Sequence, residues 1–168
     1  AILHYLRKKR FNVLPGFVVP TPVLQECIRD YLKVQTDFSF EHARDYLIKA
    51  PLPAYLLEAI RSKASHRAEP LIVRSSGALE DSQSHSFAGI FSSIKQETKE
   101  GLETALRQCL ASYFSREALH YTRRICVYQE YVSSPKMAVL VQEQIKPDIS
   151  VTYFSFHPVN GEDIFIEY

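Results

Sequence analysis

Apolar residues recur three and four positions apart over long stretches of the first 125 residues and give way to shorter, strand-like runs after that point. Residues 1–10 have helical spacing at Ile2, Leu3 and Leu6 and close on the cations Arg7 to Arg10, which suit a helix C-terminus. Pro15 and Gly16 predict a turn and "FVVPT" a short strand. Thr21 then caps a helix that opens on Pro22, with Leu24, Cys27, Ile28, Tyr31 and Leu32 on its inner face.

Two further helices are expected. One spans 40–49, capped by Ser39, with Phe40, Ala43, Tyr46 and Leu47 inward. The other spans 53–64, with Tyr55, Leu56, Ala59 and Ile60 inward, and "APLP" breaks the chain between them. "PLIVR" reads as a buried strand and "AGIFSSIKQE" as one arm of a hairpin. Residues 100–114 form the most regular amphipathic helix, with Leu102, Ala105, Leu106, Cys109, Leu110 and Tyr113 on one side, and a second helix covers 115–124. From 126 onward, "CVYQEYV", "MAVLVQEQI", "SVTYFSF" and "DIFIEY" read as strands separated by turns. Helices and strands in blocks rather than strict alternation indicate an α+β fold.

A chain of 168 residues suits about one domain that buries on the order of two-thirds of its unfolded surface. Lys+Arg number 20 against 19 Asp+Glu, so the overall charge gives no case for a nucleic acid or an anionic membrane as partner; anion binding must come from local placement. No run approaches the roughly 20 apolar residues of a membrane span. The three cysteines, Cys27, Cys109 and Cys126, match neither a zinc nor a redox spacing and read as reduced core residues of a cytoplasmic protein. The chain opens on "AILHYL" and closes on "IFIEY" within a strand, so it reads as a portion of a longer protein.

The chemistry centres on "VRSSGALEDSQSHSFAGIFSS", where a buried strand runs into a long polar loop. Arg74 leaves that strand at a point from which a guanidinium forks onto phosphate oxygens, or pairs with Glu80 or Asp81 on the surface. "SFAGIFSS" offers a glycine and hydroxyls for a phosphate-cradling loop, or an ordinary hairpin turn. The six histidines are scattered, and only His85 lies beside the glycine loop. Glu143 and Glu167 stand within and at the end of strands, where carboxylates either hold Mg²⁺ or are solvated.

Five segments in order, "LPGFVVPT", "VRSSGALEDSQSHSFAGIFSS", "ALRQCLASYFSREALHY", "MAVLVQEQI" and "FHPVNGEDIFIEY", resemble the nucleotide-binding domain of the phosphoenolpyruvate synthase and pyruvate phosphate dikinase family, which includes rifampicin phosphotransferase and, more remotely, the glucan dikinases. The resemblance implies an ATP-grasp fold of two lobes, with antiparallel or mixed sheets and a helical layer, that clasp ATP and Mg²⁺. It places the N-terminal lobe at 1–125 and part of the C-terminal lobe at 126–168. In that family ATP phosphorylates a histidine on a separate swivelling domain, which carries the group to pyruvate or another acceptor.

By this resemblance Arg74 grips phosphates, the loop through Ser86, Phe87, Ala88 and Gly89 covers them, and Ser93 supplies a hydroxyl nearby. Gln142, Gln144 and Ile145 lie along the adenine, largely through main-chain groups, and Glu167 faces the metal. The family's lysine motif would precede Ala1, and further metal and phosphate ligands would follow Tyr168, so the 168 residues alone are expected to bind nucleotide poorly and to complete no reaction. Ser150-Val151 in place of Ser-Gly, Tyr168 in place of a small residue and the apolar pattern "GIFSSI" after Gly89 support the alternative of a non-catalytic relative that serves as a regulatory or interaction module, and the retained Arg74, Glu80, Asp81 and Glu167 speak against it.

Overall fold

The computed structural model describes residues 2–34, 38–68, 70–77, 89–96, 98–125, 127–154 and 165–167, without the side chains of Ile2, Phe165 and Glu167. Its first half is α1 (Ile2–Lys8), β1 (Gly16–Val19), α2 (Pro22–Val34), α3 (Phe40–Lys49), α4 (Ala54–Ser65) and β2 (Leu71–Gly77). The second half is β3 (Ser93–Gln96), α5 (Leu102–Ala111), α6 (Arg116–Arg124), α7 (Tyr128–Ser133), β4 (Met137–Glu143), β5 (Thr152–Phe154) and β6 (Phe165–Glu167). Single 3₁₀ turns, Lys99–Gly101 and Ser112–Phe114, flank α5.

Four strands form one sheet in the order β1-β4-β2-β3, with every described pairing antiparallel; β5 and β6 form a separate antiparallel pair. β4 falls after the expected lobe boundary at 125/126, yet it is hydrogen-bonded between β1 and β2. Side chains alternate across the sheet. Val19, Leu71, Val73, Met137, Val139 and Val141 are buried on one face, where α2 and α5 pack. Among the described residues, the other face has no helix laid over it.

The helical layer follows its apolar spacing. In α5 the residues Leu102, Ala105, Leu106, Cys109 and Leu110 are all buried, with Tyr113 and Phe114 continuing the stripe through the following 3₁₀ turn. The Ser39 hydroxyl accepts the His42 N–H at 3.4 Å and the Ser115 hydroxyl accepts the Ala118 N–H at 3.1 Å, so both serines cap helices that would otherwise begin with unpaired donors. Rings tie the layer together: Phe40 meets Phe114 edge-on at 5.4 Å and lies parallel to Tyr131 at 6.1 Å.

Two expectations are corrected. "CVYQEYV" was expected as a strand, but residues 128–133 are helical, because that conformation turns Tyr131 into the core against Tyr113 at a centroid distance of 4.0 Å; Cys126 lies outside the described residues. Tyr55 was expected to face inward with Ala59, but it is 57% exposed and donates to the Glu26 carboxylate, while Leu56, Ile60 and Ala64 form the buried stripe of α4. Cys27 and Cys109 are free thiols, and burial pushes Cys27 up to about 11.

Candidate functional site: the open face of the sheet

The open face is built by register. Arg74 in β2 lies directly opposite Ser93 in β3 on one side and Leu140 in β4 on the other, so the guanidinium and the hydroxyl leave the sheet side by side. Both are exposed. Two residues along, Ile72 is flanked by Lys95 and Gln142, which therefore share that face. Gly16 and Val18 of β1 continue it. None of the described residues on this face is acidic, and Arg74 has no ion-pair partner among the described residues.

The polar segment joins β2 to β3, and its described ends are Gly77 and Gly89. Gly89 sits at φ +76° with open space where a side chain would begin, a conformation that glycine adopts without strain. Its neighbours Ser86, Phe87 and Ala88 lie outside the described residues, as do Glu80, Asp81 and His85. At the stems, Phe91 is buried against Gly77, where a Cβ would come within 2.9 Å of the ring. Phe91 in turn stacks on Tyr113 at 6.0 Å.

The end of β4 is held firmly. Gln142 is 8% exposed, and its amide donates to the Leu14 carbonyl at 3.0 Å. The Glu143 N–H donates to the Pro15 carbonyl, and the Gln144 N–H to the Pro70 carbonyl, each at 2.9 Å. The main-chain donor of Gln144 is therefore used inside the protein, whereas its side-chain oxygen Oε1 is buried with no hydrogen-bond partner among the described residues. Ile145 stands just beyond these bonds and is 63% exposed.

Glu143 belongs to β4 and Glu167 to β6. Glu143 accepts the Ala68 N–H on its Oε1 at 3.1 Å and so ties the chain just after α4 to the sheet. Glu167 is opposite Thr152 in the β5–β6 pair. Among the described residues no three His, Cys, Asp or Glu side chains gather as a metal cluster. Grooves of about 430 Å³ between α4 and α5 and about 470 Å³ beside α3, β3 and α6 contain neither Arg74 nor Ser93. Among the described residues, the candidate site is therefore the exposed surface around Arg74 and Ser93.

Sequence reasoning missed Lys95, whose position on the face follows only from strand alternation once β3 is known to start at Ser93. It also missed the stack of Phe91, Tyr113 and Tyr131 behind the loop, because those residues are far apart in the chain.

A one-sided antiparallel sheet whose bare face carries a guanidinium, a hydroxyl and an ammonium is a surface suited to an anion. The chain belongs to the pyruvate phosphate dikinase AMP/ATP-binding domain family, whose model matches residues 3–168. It is 27% identical over 162 residues to the uncharacterized phosphotransferase YvkC of Bacillus subtilis, covering 94% of this chain and 19% of that protein. It is 29% identical over 183 residues to the phosphoenolpyruvate synthase of Aeropyrum pernix, covering 93% and 22%. The prodigiosin synthesizing transferase PigC of Serratia marcescens is 27% identical over 124 residues, covering 72% and 13%. The chain spans about a fifth of the length of the first two.

Proposed function

We propose that this AMP/ATP-binding domain is the ATP-grasp portion of a dikinase-type phosphotransferase, which binds Mg·ATP and directs a phosphoryl group towards a histidine on a separate swivelling domain. The observation that carries this reading is the pairing of Arg74 with Ser93 on the bare face of the sheet. Phosphoryl transfer is catalysed chiefly by positioning and by stabilising charge on the equatorial oxygens, and an exposed guanidinium next to a hydroxyl provides donors for both.

In this reading Arg74 and Ser93 contact the phosphates, and the segment of Ser86, Phe87, Ala88 and Gly89 closes over them. The adenine lies by Gln142, Gln144 and Ile145. Burial of Gln144 Oε1 without a donor fits a base carrying an exocyclic amine, since a buried acceptor left unpaired costs about 1–3 kcal/mol that a ligand N–H would recover. In this reading the Gln144 contact to the base is made by its side-chain acceptor and not by its main-chain N–H, which is bonded to Pro70.

Mg²⁺ bound to a nucleotide takes most of its ligands from phosphates and water and needs only one or two carboxylates, which suits Glu167 as a single protein ligand and explains why a cluster of three is unnecessary. Glu143, engaged with Ala68, is left to structure. The lobe division is proposed to run after β4, since that strand completes the first sheet, with β5 and β6 contributing to the second lobe. The free thiols Cys27 and Cys109 support a reducing, cytoplasmic setting.

Calorimetric titration of Mg·ATP into the full-length protein and its Arg74→Ala variant tests the reading. Binding that the variant loses is the expected result. No binding at millimolar nucleotide would overturn the catalytic reading in favour of the regulatory or interaction module suggested by Val151 and Tyr168.

A further inference from the structure

Two grooves of about 470 and 300 Å³ meet at Arg44 of α3 and Arg116, the first residue of α6, since both arginines line each groove. Ile48, Ile94 and Ala111 give the larger groove apolar walls, and Phe38, Phe40 and Phe114 do the same for the smaller. Ile94 is opposite Val73, which is buried on the helix-covered face, so this trough lies across the sheet from Arg74 and Ser93. Its walls are fixed: the Ser112 hydroxyl accepts the Ser92 N–H at 3.2 Å, and Phe40 packs edge-on against Phe114.

Arg44 and Arg116 are exposed, and neither guanidinium makes an ion pair or hydrogen bond among the described residues. Two carboxylates also line the trough, Glu41 and Glu117. Glu117 follows Arg116 directly, so the two side chains leave α6 in different directions. Glu41, one turn before Arg44, forms no ion pair with it. A third guanidinium, Arg123, stands 5.4 Å over the Tyr128 ring at the smaller groove, so cations exceed anions. A cation in the first turn of a helix opposes its dipole, so Arg116 is not placed there for the stability of α6.

We propose that the trough docks an acidic segment of protein, with a carboxylate held between Arg44 and Arg116 and apolar side chains on either side of it filling the two grooves. The planar fork of a guanidinium matches the two oxygens of a carboxylate. A small anion would reach both arginines but leave the apolar walls wet, whereas a peptide chain runs through both grooves and covers them. The trough is separate from the nucleotide-binding face, and the inference stands or falls without that reading.

In the full-length protein, a phage-displayed library of random peptides is selected for binding. Recovered peptides are then titrated by fluorescence anisotropy against the unmodified form, Arg44→Gln, Arg116→Gln and Arg124→Gln. Arg124 is an exposed cation of the same helix that lines neither groove. Expected are peptides that combine Asp or Glu with apolar residues and lose about tenfold in affinity with either groove variant, the scale of one hydrogen bond to a charged group. Arg124→Gln and millimolar ATP should leave their binding unchanged.

Recovery of no binder, or of binders without acidic residues, would overturn the proposal. Equal affinity for all four forms would overturn it, as would equal weakening by Arg124→Gln, which marks general attraction to a basic helix. Inorganic phosphate binding as tightly as the peptides would reduce the trough to a small-anion site, and displacement by ATP would put the peptides on the Arg74 face; either result also overturns it.

Discussion

The phenol of Tyr131 donates to the carbonyl of Tyr113 at 2.6 Å, and the phenol of Tyr113 donates back to the carbonyl of Tyr131 at 3.1 Å, across rings 4.0 Å apart and 4° from parallel. The Lys136 N–H donates to the Tyr113 phenol at 3.3 Å, so the pair ties α7 and the entry to β4 to the turn after α5. Tyr131→Phe removes one hydroxyl and leaves a buried carbonyl unpaired. The expected loss is about 1–3 kcal/mol of stability, read from the midpoint of chemical denaturation. An unchanged midpoint would show that the reciprocal bonds contribute nothing net.

Burial raises the pKa of both these tyrosines, with the neighbouring phenol adding to the rise at Tyr131. The unfolded phenol titrates near 10. A group whose pKa is raised on folding holds its proton more tightly in the native state, so its contribution is complete below about pH 10 and is lost as pH climbs beyond it. The protein should therefore lose stability above about pH 10, and Tyr113 and Tyr131 should ionise only as it unfolds. Ultraviolet tyrosinate absorbance followed alongside circular dichroism checks this. Ionisation of all ten tyrosines before any structural change would refute it.

Arg74→Ala in the full-length protein should slow ATP turnover by about 2–4 kcal/mol of transition-state stabilisation, the scale of one lost charged donor. Denaturation should be little affected, because the side chain is exposed. A wild-type rate would remove Arg74 from the site.

Gly89 has open space around its missing side chain, so a substitution there acts through backbone conformation and not through collision. Gly89→Val should strain the left-handed φ by roughly 1–2 kcal/mol and weaken nucleotide binding while the fold persists. Gly89→Asn, which tolerates that conformation, should retain most of the affinity. Equal ATP affinity in Gly89→Val would separate the loop from binding.

Gly16 is the opposite case. A Cβ there would meet the Val141 carbonyl at 2.6 Å and the Gln142 Cα at 3.1 Å, both backbone atoms of the partner strand. Gly16→Ala should force β1 away from β4 and destabilise the protein by about 1–3 kcal/mol. Thermal unfolding measures it, and a neutral result would mean that β1 moves freely on the sheet.

Legibility in the sequence followed the range of the interactions. The helix of Leu102 to Ala111 was legible because its buried side chains repeat with the helix period, and the cap at Ser39 because a hydroxyl precedes the apolar run. The segment from 128 to 133 was not legible. Its valine and two tyrosines favour a strand by propensity, and the deciding contact is Tyr131 on Tyr113, eighteen residues earlier. Arg74 and Gln142 were legible as candidates, but their shared face was not, because register across β2, β3 and β4 depends on pairings that no local pattern encodes. The family resemblance was legible from five ordered segments, and the match over residues 3–168 agrees with it.

The position of β4 between β1 and β2 has a consequence for how the chain is made. Gly16 finds its sheet partner only at Gln142, and the β2–β3 pair waits for the same strand. While the chain emerges from the ribosome, β1 therefore has an unpaired edge until residue 143 is available, and contacts this distant in sequence close slowly. The newborn protein's exposure to aggregation and to chaperones is set by the time taken to synthesise β4, and substitutions in that strand should lower yield before they alter chemistry.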